Sequence, residues 1–263
     1  MGETNAVTPR KAAMEAKRLA QQGEQMRLAG DPSGAVALFS RALEWAPRFA
    51  WALAHRGAAH RQRGKEHYRA ALADFEQALV HDPDYVWAIA FRARMYELFR
   101  DYQRALVDFD RAIAMDDTII GFWRSERALL LCFNRRYQEA RVMCDEALRC
   151  QKNDHFATYV RAVIAACFDG GRDAALWRQR AEKLLQPLAL EPGPEQGIAL
   201  YRLAGLTALY GAGDQAKALL RRALPLEKEA VEFARHDPAW YGFYDDQEFQ
   251  LLVTDRFGDL TVG

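Results

Sequence analysis

The sequence predicts an all-α protein made of repeated helix pairs, with no sheet. Three observations carry that expectation. Apolar residues recur at spacings of three and four in every segment from about residue 12 to residue 253. Prolines and Gly-Asp turns separate the segments. The chain also resembles itself at intervals of 34 to 36 residues.

The self-similarity is visible on alignment of GDPSGAVALFSRALEWAP (30 to 47), YRAALADFEQALVHDP (68 to 83) and YQRALVDFDRAIAMDD (102 to 117). Each carries an alanine, an aromatic four residues on, and an alanine three further: Ala35, Phe39, Ala42; Ala71, Phe75, Ala78; Ala105, Phe109, Ala112. That spacing puts all three on one helical face, where alanines allow close approach and the ring supplies buried area. Pro47 and Pro83 then stop the first two helices. Ahead of each lies another amphipathic helix with a small residue at a fixed place, Gly23, Gly57 and Ala93, four residues after Leu19, Leu53 and Ile89. Such pairs cannot bury their apolar faces alone and must stack on neighbours. A fourth copy is marked by Ala128, Ala140, Cys144 and Ala147, a fifth by Ala162, Ala174 and Ala181, and a weaker sixth by Gly205, Gly213-Asp214 and Leu224.

Composition narrows the function classes. The 263 residues are 50% hydrophobic, enough for a sizeable core, and the formal charge is zero. A neutral chain has no reason to accumulate on nucleic acid or an anionic membrane. Cys132, Cys144, Cys150 and Cys167 lack CxxC spacing and read as reduced thiols, and the first residues lack the apolar stretch of a signal peptide. No segment is long and apolar enough to span a bilayer, and a cytoplasmic location is expected. Three serines, with no phosphate loop and no nucleophile elbow, offer little to catalysis, leaving only a site assembled across repeats for an enzyme. No cofactor and no metal are expected: His55 and His60 are five apart, off a common helical face.

The unit resembles the tetratricopeptide repeat, a family whose unit of about 34 residues pairs two helices with small residues in both, a large one in the second, and a proline after it. The resemblance spans roughly residues 16 to 225 and is closest in the first three units. Asp117 and Lys152 stand where proline is expected, and the second unit has two extra residues between its helices. The family implies a right-handed superhelical solenoid, here of about six helix pairs. Residues 1–12 are expected to be a flexible N-terminus, 13–235 the repeat domain, and 236–263 a C-terminal cap and tail. In that tail ARHDPAWYGFYDDQEFQLLVTD concentrates Trp240, Tyr241, Phe243, Tyr244 and Phe249 beside Leu251 and Leu252, read as a cap over the last pair or as a docking element.

The resemblance also places a partner-binding groove on the first helices. Trp51, Trp87, Phe122 and Phe156 take one position at spacings of 36, 35 and 34 residues, with Phe49 and Tyr85 beside the first two. His55, Arg61, Arg94, Glu97 and Ser125 interrupt this apolar wall. The clamp by which some members hold the carboxylate tails of chaperones is absent, Ala20 and Glu24 occupying its first positions. The expected function is a non-catalytic scaffold or adaptor whose partner is a protein or peptide segment, apolar with an acidic group. An alternative is an accessory subunit that docks an acidic protein through a basic outer edge. That edge begins in AHRGAAHRQRGKEHYRA (54 to 70), where Arg61, Arg63, Lys65 and Arg69 surround a lengthened turn, and continues to Arg100, Arg135 and Arg136. The competing reading is an ordinary solvated turn. Acids outnumber bases 12 to 7 from residue 191 onward, which with a basic edge leaves self-association open.

Overall fold

The computed structural model describes residues 8–115, 120–171, 173–227 and 229–254, with residues 120–122 described by their backbone alone. These residues form helices and turns, and no strand occurs among them. The chain divides into two compact units, Met1–Tyr96 and Glu97–Gly263.

The first unit holds α1 (Pro9–Leu28), α2 (Pro32–Trp45), α3 (Ala50–Arg63), a 3-10 turn at Lys65–His67, α4 (Tyr68–His81) and most of α5 (Val86–Leu98). Helix α1 packs on α2, α2 on α3, and α3 on α4. Its start at Pro9 makes helical the last residues of the stretch expected to be a flexible N-terminus. The boundaries follow from local chemistry. Asp31 accepts from the Gly34 N–H at 2.9 Å and Pro32 opens α2, which thus starts with a side-chain cap and a preset φ. Gly64, at φ 112°, breaks the chain between α3 and the lengthened turn, where the sequence placed that turn.

The expected helix faces are the core. Ala35, Phe39, Ala42, Ala71, Phe75 and Ala78 are wholly buried, as are Ala105, Phe109 and Ala112 in α6. Each such phenylalanine contributes about 2 to 3 kcal/mol of burial energy. The fixed small residues have a direct cause: a Cβ at Gly57 would lie 3.1 Å from both the Phe75 ring and the Ala71 carbonyl oxygen.

The second unit comprises α6 (Tyr102–Met115), α7 (Ile120–Phe133), α8 (Tyr137–Cys150), α9 (His155–Cys167), α10 (Ala174–Leu190), α11 (Gln196–Leu209), α12 (Gly213–Ala223) and α13 (Ala230–Ala234). A 3-10 turn at Pro238–Phe243 and α14 (Gln247–Val253) complete it. The 3-10 turn lies on α9 and α11. There Trp240 is completely buried, stacked on Phe249 at 5.1 Å with Phe243 edge-on at 5.7 Å. Asp237, also wholly buried, accepts the Tyr159 hydroxyl at 2.6 Å and the Tyr201 hydroxyl at 3.0 Å. Leu251 departs from the expected apolar cluster: its side chain is 79% exposed, because Phe249 and Val253 fill the buried face of so short a helix.

Candidate binding surface

The half-exposed aromatic residues of the first unit lie in one continuous stack. Trp51 of α3 lies over His55 at 4.0 Å, His55 over Trp87 of α5 at 4.5 Å, and Trp87 over Phe91 at 4.0 Å. Phe49 and Tyr85, each just before its helix, flank the two indoles at 6.0 and 6.2 Å. The Arg61 guanidinium closes the row, 5.5 Å from the Phe91 ring centre, within cation–π range. Helix geometry builds this arrangement, since Trp51 and His55 are four residues apart, as are Trp87 and Phe91, so each helix offers two rings on one face. Phe49, Trp51, Tyr85, Trp87 and Phe91 all remain partly open to solvent.

A polar network fixes the middle of the stack. His55 Nδ1 lies 2.9 Å from Glu24 Oε2, and its Nε2 lies 3.3 Å from the Tyr85 hydroxyl. The carboxylate is acceptor-only, so Nδ1–H donates to Glu24, and in the neutral imidazole Nε2 accepts from Tyr85. Arg27 donates to both oxygens of Glu24, at 2.7 and 2.8 Å. Partial burial by itself would raise the Glu24 carboxyl, but hydrogen bonds from Arg27 and His55 outweigh it and bring the pKa down to about 2. Burial, with Glu24 and Asp82 nearby, pushes the Tyr85 phenol up, and it stays protonated.

The structure moves several predicted residues off the wall. His55 is only 8% exposed and acts as the spacer between two indoles. Ser125 is wholly buried and donates to Asp154 at 2.7 Å; that aspartate also accepts the Phe156 and Ala157 N–H groups and so caps α9. A hydroxyl spent on a cap is not available to a partner. Phe156 is 6% exposed, with the Arg202 guanidinium 3.7 Å above its ring. Glu97 is buried and Arg94 half-buried. The Phe122 side chain lies outside the described residues.

The candidate basic edge is divided between the units, with Arg63, Lys65 and Arg69 in the first and Arg100, Arg135 and Arg136 in the second. Arg136 is held by Glu139 through two bonds of 2.7 Å, which neutralises it locally. Arg100 and Arg135 have φ of 61° and 57°, the left-handed conformation that ends α5 and α7. Their place in the sequence is therefore that of a helix C-cap, the role Gly30 plays after α1. Among the described residues no three His, Cys, Asp or Glu side chains are grouped to hold a metal ion.

No protein-family model and no curated protein matches the sequence. Solved structures do match the fold. The type IV pilus biogenesis factor PilW aligns with TM-score 0.61 and 16% identity over 91% of this chain and 98% of its own. PilF of Pseudomonas aeruginosa gives 0.57 and 16% identity, over 85% of this chain and 97% of its own. A tetratricopeptide repeat protein from Parabacteroides merdae gives 0.56 and 16%, over 91% and 98%. The fold is the tetratricopeptide-repeat fold. In this tetratricopeptide array a second ladder went unread in the sequence: Arg56, Arg92, Arg127 and Arg161 recur at the same 36, 35 and 34 residue spacings. Arg56 binds Asp74 of its own pair at 2.7 and 2.8 Å and Ser40 of the preceding pair at 3.2 Å. Arg127 likewise reaches back to Asp110 at 2.6 Å, and Arg161 to Asp145 at 3.4 Å. Part of the charge that made residues 54 to 70 conspicuous thus ties successive tetratricopeptide units together.

Proposed function

We propose that this chain is a non-catalytic protein-interaction scaffold that seats a segment of a partner on the aromatic surface of its first unit. The observation that carries the reading is the continuous row Trp51, His55, Trp87, Phe91, in which the two indoles and the phenyl ring are half-open to solvent and the buried His55 between them is fixed from behind by Glu24. Large rings left partly in water forgo burial energy that a covering segment would recover. His55 is held by Glu24 and Tyr85 and stacked between both indoles, an arrangement that limits the side-chain entropy lost on association. Arg61, at the end of the row, gives the segment polarity by favouring an acidic group there. A cytoplasmic setting suits the four unpaired cysteines.

The test is recovery of partners from native cells with the wild-type chain and with Trp87→Ala, followed by calorimetry on the recovered segment. The substitution is expected to weaken binding by about 2 kcal/mol, roughly thirtyfold, with the helical spectrum unchanged. A lowered melting temperature with unaltered affinity would make the row purely structural and overturn the reading.

A further inference from the structure

A second surface lies at the outer end of the first unit. Helix α1 runs for 20 residues against 14 in α2, and its buried residues, Ala16, Leu19, Ala20 and Gly23, all follow its first two turns. Its first two turns therefore gain little from packing, and isolated helical turns are marginal in water. Beneath them stands Trp45, in the last turn of α2, with 39% of its surface exposed beside Met14 at 65%. Between helix and indole runs a groove of about 770 Å³, lined by Arg10, Lys11, Met14, Glu15, Arg18 and Trp45 as well as Thr8. Arg18 takes up Glu15, the acid of this set, through bonds of 2.9 and 2.5 Å. Arg10 and Lys11 stand exposed at the rim, and the groove is basic over an apolar floor.

We propose that this groove docks an acidic segment of another protein, one that places a large apolar side chain on Trp45 and Met14 and its carboxylates against Arg10 and Lys11. Charge complementarity selects the sign of the partner, and the apolar floor supplies its anchor. The site is concave, with the indole at its base, which suits an inserted side chain better than a flat anionic bilayer. In the tail of the folded chain Lys217 already holds Asp246 at 3.0 Å and Glu248 at 2.6 Å. This surface is separate from the aromatic row and does not depend on that reading.

The probe is a displayed library of random peptides, selected on the full chain and counter-selected on Trp45→Ala. Enriched peptides are then synthesised and titrated by fluorescence anisotropy at low and high salt. The expected winners combine Asp or Glu with Leu, Phe or Trp. They lose about tenfold or more in affinity with Trp45→Ala and again with Lys11→Glu, weaken with salt, and bind Trp87→Ala as they bind the wild type. Charge reversal at the exposed Lys11 keeps the test valid even if Trp45→Ala perturbs α2. Winners that are neutral or basic, or that ignore both substitutions, would overturn the proposal. So would a Trp45-dependent dimer in sedimentation, or Trp45-dependent binding to phosphatidylserine vesicles in place of peptide binding.

Discussion

The imidazole of His55 lies parallel to the Trp87 indole, with 2° between the planes and 4.5 Å between the centres, while Trp51 covers its other face at 4.0 Å. One ring on α3 thus sets the separation of two indoles on successive first helices. Its edge is held by Glu24 on α1 and by Tyr85, so three helical layers of the first unit converge on a single side chain. The spacing of the row is decided at His55.

Replacing that spacer should be costly. His55→Ala leaves a void between the indoles, takes one donor from Glu24, which keeps Arg27, and removes the partner of the Tyr85 hydroxyl, at an expected cost of about 2 to 3 kcal/mol. Chemical denaturation followed by tryptophan fluorescence measures it, with a red-shifted native spectrum as the indoles gain water. His55→Phe, which restores the stack without the hydrogen bonds, should recover part of the loss.

Acid should loosen the same unit in a defined window. The Glu24 pKa falls from an ordinary 4.5 to about 2 on folding, so its stabilising contribution is complete above about 4.5 and disappears as the pH drops through 2. Glu24→Gln should flatten the stability profile between those limits while leaving the slope at higher pH as in the wild type. Denaturant midpoints at a series of acid pH values give the comparison.

Much of this fold was legible because the first three units keep one period and the first two end on a proline. Phe39, Phe75 and Phe109, predicted to share a buried face, are wholly buried, and the lengthened turn after Arg63 is where Gly64 put it. The surface was less legible. Trp51 and Trp87 could be placed on a helix face, but whether a ring is covered depends on residues far off in sequence: Phe156 lies beneath Arg202, and Ser125 is spent on Asp154. Glu24 belongs to the row only through contact with a histidine 31 residues away. Phe91 could have been found, since it follows Trp87 by the same four residues that separate His55 from Trp51.

Arg135 offers a stability gain. It holds φ at 57° while its N–H bonds the Cys132 carbonyl oxygen at 3.0 Å, a helix-ending conformation that glycine adopts without a Cβ penalty. Arg135→Gly is expected to stabilise the chain by up to about 1 kcal/mol, offset in part by glycine's greater freedom when unfolded. The same change at Gly64 in reverse, Gly64→Arg at φ 112°, should destabilise. Urea midpoints of the two variants against wild type settle the sign.

The tail prediction turns on Asp237. Its carboxylate sits at zero exposure between two phenols, Tyr159 on α9 and Tyr201 on α11, while its other oxygen accepts the Ala239 N–H that opens the turn carrying Trp240. One side chain therefore joins two helix pairs to the segment that covers them. Asp237→Ala leaves both hydroxyls buried without an acceptor, and the expected loss is about 3 kcal/mol or more, beyond the cost of either phenol alone. Tyr159→Phe and Tyr201→Phe should each cost about 1 to 2 kcal/mol, and the double variant more than their sum, because in each single variant the remaining phenol tightens on the shared carboxylate oxygen and hides part of the loss. Deleting residues 236–263 would remove Trp240 and Phe249 together and expose the faces of α9 and α11, so the truncated chain is expected to aggregate or to melt earlier. A truncated chain that stays soluble and equally stable, yet loses a partner captured by the wild type, would make this tail a docking element, and the buried Asp237 cluster would then have to be dispensable for the fold.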